Sequence, residues 1–305
     1  MRRILIAIFF ILISITNHSY ADNESKNISE LTKKAEQGNP SAQSDLGFMY
    51  FDGKNIKKDY TQARIWFEKA AEQGDGVAQT GLGAIYINGL NVKQDYSKAR
   101  IWFEKAAEQG VGEAQTGLGI IYINGLNVKQ DYSKAKIWFE KAAKQGLESA
   151  QFYLATMYEH GHGARRNYKE AKIWYEKSAE QGNSTAQYNL GVMYSNGTGV
   201  KKSYSKAIEW YEKSAQQDHS DAQHNLGVMY LDGIGVKKDY SKAKVWFKKA
   251  AEKNNPHAQF NLGIMYEQGK GVRQSYLKAK EWFGRSCDNG YQDGCDAYKE
   301  LKLLM

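Results

Sequence analysis

Cysteine and proline are nearly absent from this chain: there are two of each in 305 residues. Two cysteines, Cys287 and Cys295, are too few for a cysteine-built zinc site, and no histidine lies near them in sequence. Histidine is scarce as well. His160, His162, His219, His224 and His257 lack the third partner that a metal would need, and they read as solvated loop residues. Beyond the first fifteen residues no hydrophobic run is long enough to span a membrane. The excess of positive charge is small. The formal charge is +8, and Arg2 and Arg3 supply two of it.

Those arginines precede twelve mostly apolar residues, Ile4 to Ile15, and Ser19-Tyr20-Ala21 offers small residues where a signal peptidase reads. The expectation is a signal peptide over 1–21, cut after Ala21, and a periplasmic or secreted chain. An exported protein with so mild a charge is not expected to meet nucleic acid. In an oxidising compartment an even cysteine count points to a disulfide.

What the chain does have is a period. Its seven tryptophans stand at 66, 102, 138, 174, 210, 246 and 282, always 36 residues apart. A fixed period of this size means stacked supersecondary units, none of which buries its apolar face alone. Each unit reads as two helices. In helix A, Ala42, Leu46 and Tyr50 head three columns spaced by four residues, which places them on one helical face. Gly53 and its equivalents suit the left-handed position after a helix. Asn55, Asn91 and Asn127, then Gly163, Gly199, Gly235 and Gly271, suit a second such position. Gly47 recurs in six of the seven repeats, which predicts a close backbone approach by the next helix. Helix B starts after good N-caps such as Asp59, Ser203 and Asp239, and its inward face carries Tyr60, Ala63, Trp66, Phe67 and Ala70. Pro40 and Pro256 occupy the same first helical position, each preceded by asparagine.

The expected organisation is a signal peptide (1–21), a segment with a capping half-repeat helix (22–38), seven repeats (39–290) and a C-terminal capping helix (291–305). The fold class is all-α, an α-solenoid of seven 36-residue helix–turn–helix repeats.

These columns resemble the Sel-one-like repeat family, relatives of the tetratricopeptide repeats. The sixth repeat carries the pattern as Ala222, Leu226-Gly227, Tyr230, Gly233-Ile234-Gly235-Val236, Asp239-Tyr240, Ala243, Trp246-Phe247 and Ala250-Ala251. The resemblance implies a right-handed superhelical array whose helices A line a concave, partner-binding surface. Exported cysteine-rich members carry a Cys-x7-Cys pair bridging neighbouring helices, and Cys287 and Cys295 have that spacing. Because only the last repeat has the pair, the resemblance to that subgroup is partial.

Some cysteine-rich relatives are described as binding or slowly hydrolysing β-lactams, which sets the alternative function: a cell-wall or β-lactam binder with weak hydrolase activity. Ser-x-x-Lys occurs at Ser133–Lys136, Ser203–Lys206 and Ser241–Lys244. Each lies in the first turn of a helix B, and no Ser-Asp-Asn or Lys-Thr-Gly follows to complete a site. Residues 79–110 and 115–146 differ only at Ala84/Ile120, Arg100/Lys136 and Glu108/Lys144. Such duplication enlarges a binding surface and does little for a single catalytic constellation. The expectation is therefore no enzyme, no cofactor and no metal.

The leading expectation is an exported protein- or peptide-binding scaffold of the bacterial envelope or secretome that engages a host. The variable helix A columns mark the surface. By resemblance to peptide-binding arrays, Asn189, Asn225 and Asn261 would bond an extended peptide, since an amide both donates and accepts. Tyr188, Phe260, Phe152 and Tyr153 would add buried area. A row of eleven basic residues, from Lys57 and Lys58 to Arg273, runs along the loops between helices and would attract an anionic partner.

Overall fold

The computed structural model describes residues 26–304. The expected signal peptide lies outside the described residues. Sixteen α-helices and no strands are found among those described, and the architecture is an all-α solenoid. The chain divides into two compact units, one ending at Asn167 and one beginning at Tyr168.

The first unit holds α1 (Lys26–Glu36), α2 (Pro40–Asp52), α3 (Tyr60–Glu72), α4 (Gly76–Asn88), α5 (Tyr96–Glu108), α6 (Gly112–Asn124), α7 (Tyr132–Lys144) and α8 (Glu148–His160). The second holds α9 (Tyr168–Glu180), α10 (Ser184–Asn196), α11 (Tyr204–Gln216), α12 (Ser220–Asp232), α13 (Tyr240–Glu252), α14 (Pro256–Gln268), α15 (Tyr276–Asp288) and α16 (Gln292–Leu304). Even-numbered helices from α2 to α14 are the helices A, and odd-numbered ones from α3 to α15 the helices B.

Local chemistry sets the ends. Asn39 Oδ1 accepts from the Ala42 N–H at 2.9 Å, and Asp239 Oδ1 from the Lys242 N–H at 2.9 Å. Asn55, Asn91 and Asn127 have φ of 62°, 52° and 50°, the left-handed region foreseen for them. Each helix B then packs a fully buried ring inward: Phe67, Phe103 and Phe139 in the first unit, Phe247 and Phe283 in the second. The repeated glycine serves that ring. A Cβ at Gly227 would stand 2.5 Å from the Phe247 ring, and one at Gly191 2.5 Å from Tyr211. The close approach is thus by an aromatic side chain and not, as the sequence suggests, by backbone. The tryptophans are half-buried and each carries a cation over its face from the next turn, as Lys249 does over Trp246 at 4.7 Å.

A ladder of buried glutamines ties repeat to repeat. Gln43, Gln79 and Gln115 in the first unit, and Gln187, Gln223 and Gln259 in the second, each donate to the carbonyl of an alanine eight residues back. A second amide, thirty residues on, donates to that glutamine: Gln217 to Gln187 at 2.9 Å, Asn289 to Gln259 at 3.1 Å. The sixth repeat breaks the pattern. Lys253 stands where the second amide belongs and pairs with Asp218 at 3.2 Å, which leaves the buried Gln223 Oε1 without a donor. Lys253→Gln should therefore raise stability by roughly 1 kcal/mol, since satisfying a buried acceptor outweighs an exposed ion pair. A urea midpoint at or below that of the native chain would refute this account of the ladder.

The cysteines occupy the same two columns at the last junction. Cys287 follows Ala251 and Cys295 follows Gln259 in their columns, and the two are bonded, with Cα atoms 4.4 Å apart. A covalent bridge here replaces the glutamine-to-carbonyl hydrogen bond of every earlier junction.

Candidate functional site

In the second unit α10, α12 and α14 share their core, Ala-Gln at one end and Leu-Gly and Met further along, while one stripe varies. The stripe contains Thr185, Asp221 and His257; then Tyr188, His224 and Phe260; then Ser195, Leu231 and Glu267. Positions three and four apart on a helix face the same way. Tyr188, Asn189, His224, Asn225, Phe260 and Asn261 are all half-buried, with part of each side chain open.

His224 is the node of this face. Its Nδ1 lies 3.3 Å from Asn225 Oδ1 and its Nε2 3.0 Å from Asn261 Nδ2. Those contacts fit the neutral tautomer, Nδ1–H donating to Asn225 and Nε2 accepting from Asn261. Burial pushes the Tyr211 phenol up, opposed by Ser195 and Asn225 beside its hydroxyl. Asn225 and Asn261 are therefore already engaged with their own chain, whereas Asn189 carries no side-chain hydrogen bond among the described residues. Rings extend the face on both sides. Tyr188 stacks on His219 at 4.8 Å and 18°, and Tyr291 sets its edge against both His257 (4.5 Å) and Phe260 (5.3 Å).

The remaining expected site residues belong to the first unit. Phe152 is half-buried on α8. Tyr153 departs from expectation: it is 7% exposed and stacks on Phe139 at 4.9 Å, so it is a core residue. Its column holds Gly81 and Gly117 in earlier repeats, which lie against the Phe67 and Phe103 rings; here a ring fills that space.

His219 and His224 also depart from the solvated reading. His219 caps α12, its Nδ1 accepting from the Ala222 N–H at 3.3 Å. Burial holds His219 below the usual imidazole range against the pull of Asp221. Burial also lowers His224, helped by His257 and opposed by Asn225 and Asp221. The charged or titratable groups facing this pair are thus Asp221 and His257, with Tyr188 stacked on His219 and Phe247 packed against His224 supplying the surrounding rings. Both imidazoles are neutral when folded, and the unfolded chain protonates first, near pH 6.5. Their contribution is intact above that value and is lost as pH falls through it toward the lower folded values. A lower urea midpoint at pH 5.5 than at 7.5 is expected. His219→Asn, which installs the cap used at Asn183 and Asn255, should shrink the difference. An undiminished difference in that variant would remove His219 from the explanation.

The serine motifs sit in ordinary surroundings. Ser203 caps α11, its Oγ accepting from the Lys206 backbone N–H at 3.4 Å. Lys136 Nζ is 2.6 Å from Glu140. Burial alone would lower that amine, but Glu140 and Tyr158 hold it above the usual range. A lysine that is to take a proton from Ser133 needs the opposite shift.

Known proteins place these features in context. The Sel1 repeat family model matches residues 40–75, 76–111, 112–147, 148–183, 184–219, 220–255 and 256–291. A protective antigen of uropathogenic Escherichia coli strains, displaying an SLR fold, is 43% identical with a TM-score of 0.82, over 90% of this chain and 59% of its own. A Sel1 repeat protein from Oxalobacter formigenes is 33% identical with a TM-score of 0.72, over 97% of this chain and 86% of its own. The secretory immunoglobulin A-binding protein EsiB of Escherichia coli is 48% identical over 44 residues, 14% of this chain and 9% of that protein. The chain thus spans less than two thirds of either Escherichia coli protein. With all seven repeats matched, the chain belongs to the Sel1 repeat family.

Proposed function

We propose that this chain is an exported, non-catalytic scaffold that binds a protein or extended peptide on the helix A face of its second unit. Tyr188 and Phe260 are the aromatic anchors, and Asn189, Asn225 and Asn261 supply the amides. One observation carries the reading: α10, α12 and α14 keep their core residues and differ along the partly open stripe. A passive spacer has no use for that diversity. Phe152 serves the same role in the first unit.

The similarities to an immunoglobulin A-binding protein and to a protective antigen support a host partner. The Cys287–Cys295 bond and the apolar run behind Arg2 and Arg3 support export with cleavage after Ala21. No described helix is long and apolar enough to cross a membrane. The exposed loop cations, Lys201, Lys202, Lys237 and Lys238 among them, form a separate contact for an anionic partner.

The test is affinity capture from host secretions and bacterial envelope extracts, with the native chain and two variants as bait. The variants are Asn189→Ala/Asn225→Ala/Asn261→Ala and Tyr188→Ala/Phe260→Ala. A protein held by the native chain and lost from both variants is the expected result. A protein held equally by all three would place the binding surface elsewhere.

A further inference from the structure

Charge is segregated in this chain by helix type. The chain holds 42 lysines and arginines, yet none lies in the seven helices A, each thirteen residues long. Within the repeats the cations lie on the helices B and on the loops; the others belong to the N-terminal segment, α1 and α16. In the second unit the only formal charges of α10, α12 and α14 at neutral pH are Asp221, Asp232 and Glu267. A protein of net charge +8 thus presents a face with carboxylates and no ammonium or guanidinium.

Asp221 and Glu267 belong to the stripe already described, and Asp232 directly follows its Leu231. In α12 the sequence Asp221, His224 and Asn225, Val228, Leu231 and Asp232 follows helical spacing. Asp221 lies close enough to His219 and His224 to favour their charged forms, which places it on the same face. Its Oδ1 accepts from Asn255 Nδ2 at 2.9 Å, a neutral donor that leaves the charge uncompensated. Asp232 is exposed and Glu267 half-buried. Between them lie half-buried apolar side chains, Val192, Val228 and Ile264, and the rings of Tyr188 and Phe260. Aromatic faces attract cations, and opposed charge across an interface sets the choice of partner.

We propose that this face takes an extended cationic segment, with lysines or arginines alternating with apolar residues. The inference rests on the reading of the face as a protein-binding surface and names the chemistry of its partner. The lysines of such a segment meet Asp221, Asp232 and Glu267 at separate points on helices that carry no lysine or arginine of their own. An acidic segment meets repulsion here and is drawn instead to the loop cations.

The experiment uses the full chain and two short fluorescent peptides, one alternating lysine and leucine, the other glutamate and leucine. Binding is read by anisotropy at low salt. The lysine peptide is expected to bind at least about tenfold more tightly, against the sign of the protein's net charge. Asp221→Asn/Asp232→Asn/Glu267→Gln, a near-isosteric variant whose helicity is checked first, should weaken it roughly tenfold. Equal or tighter binding of the glutamate peptide overturns the inference. So does a lysine-peptide affinity unchanged in the triple variant. If Tyr188→Ala/Phe260→Ala weakens binding while the charge variant does not, the surface stands and its cationic preference falls. If neither variant has an effect, the surface falls with it.

Discussion

Replacing Phe247 by alanine lowers the stability of the second unit by about 3–5 kcal/mol. The ring is 0% exposed and is wedged against Gly227, where even a Cβ would be 2.5 Å away. It also lies beneath His224, ring centroids 5.8 Å apart. Truncation removes the ring's transfer free energy and leaves a cavity lined by the Ala243, Ala250, Leu262 and Met265 cluster, which has little with which to fill it. The column itself supplies the control. Tyr211 fills the same position one repeat earlier and reaches Asn225 with its hydroxyl. A tyrosine at 247 would find Asn261 at the equivalent place, so Phe247→Tyr is expected to cost less than about 1.5 kcal/mol. Urea unfolding followed by tryptophan fluorescence and helicity measures both. A loss below about 1 kcal/mol for the alanine variant would mean that the ring is not the keystone of its repeat.

Removing the disulfide is the second large effect. Cys287 and Cys295 close a loop of eight residues, for which chain entropy predicts about 2–3 kcal/mol. The loss falls on α16, the last helix, which is otherwise held by Leu301 against Ala279 and Phe283. The Ser286 hydroxyl donates to the Pro256 carbonyl at 2.8 Å and so ties α15 to α14, leaving α15 fixed when the bridge is removed. Reduction, or Cys287→Ser/Cys295→Ser, should speed amide hydrogen exchange in α16 by roughly 30- to 150-fold while α10 and α12 change little. Because the bridge stands in the alanine and glutamine columns, Cys287→Ala/Cys295→Gln should regain about 1 kcal/mol through the hydrogen bond that other junctions use. Unchanged exchange in α16 after reduction would show that the bridge contributes nothing to docking.

The helices and their ends were legible because every repeat solves the same problem. A column that reads alanine or leucine seven times can only be core, and one that reads Asp, Asn or Ser can only be a cap. What stayed hidden depended on contacts between columns. Glycine at 81 and 117 signalled a ring overhead, so tyrosine at 153 was bound to stack in that space; read as a variable surface column, it passed for a binding residue. His219 stands in the column of Asn183 and Asn255, which marks it as a cap and could have been read as one. The His224 link between Asn225 and Asn261 has no sequence signal, because it joins side chains in successive repeats that no single repeat contains. The glutamine ladder, and with it the meaning of Lys253 and of the cysteine columns, emerged only from distances.

The central claim is that the helix A face of the second unit is where a partner binds. The most direct measurement is the dissociation constant of a captured partner for the native chain and for Tyr188→Ala/Phe260→Ala, with both chains shown to have the same urea midpoint. Two anchors at the centre of an interface predict a loss of about 100-fold or more. An affinity within about threefold of native would contradict the account and move the binding surface off this face.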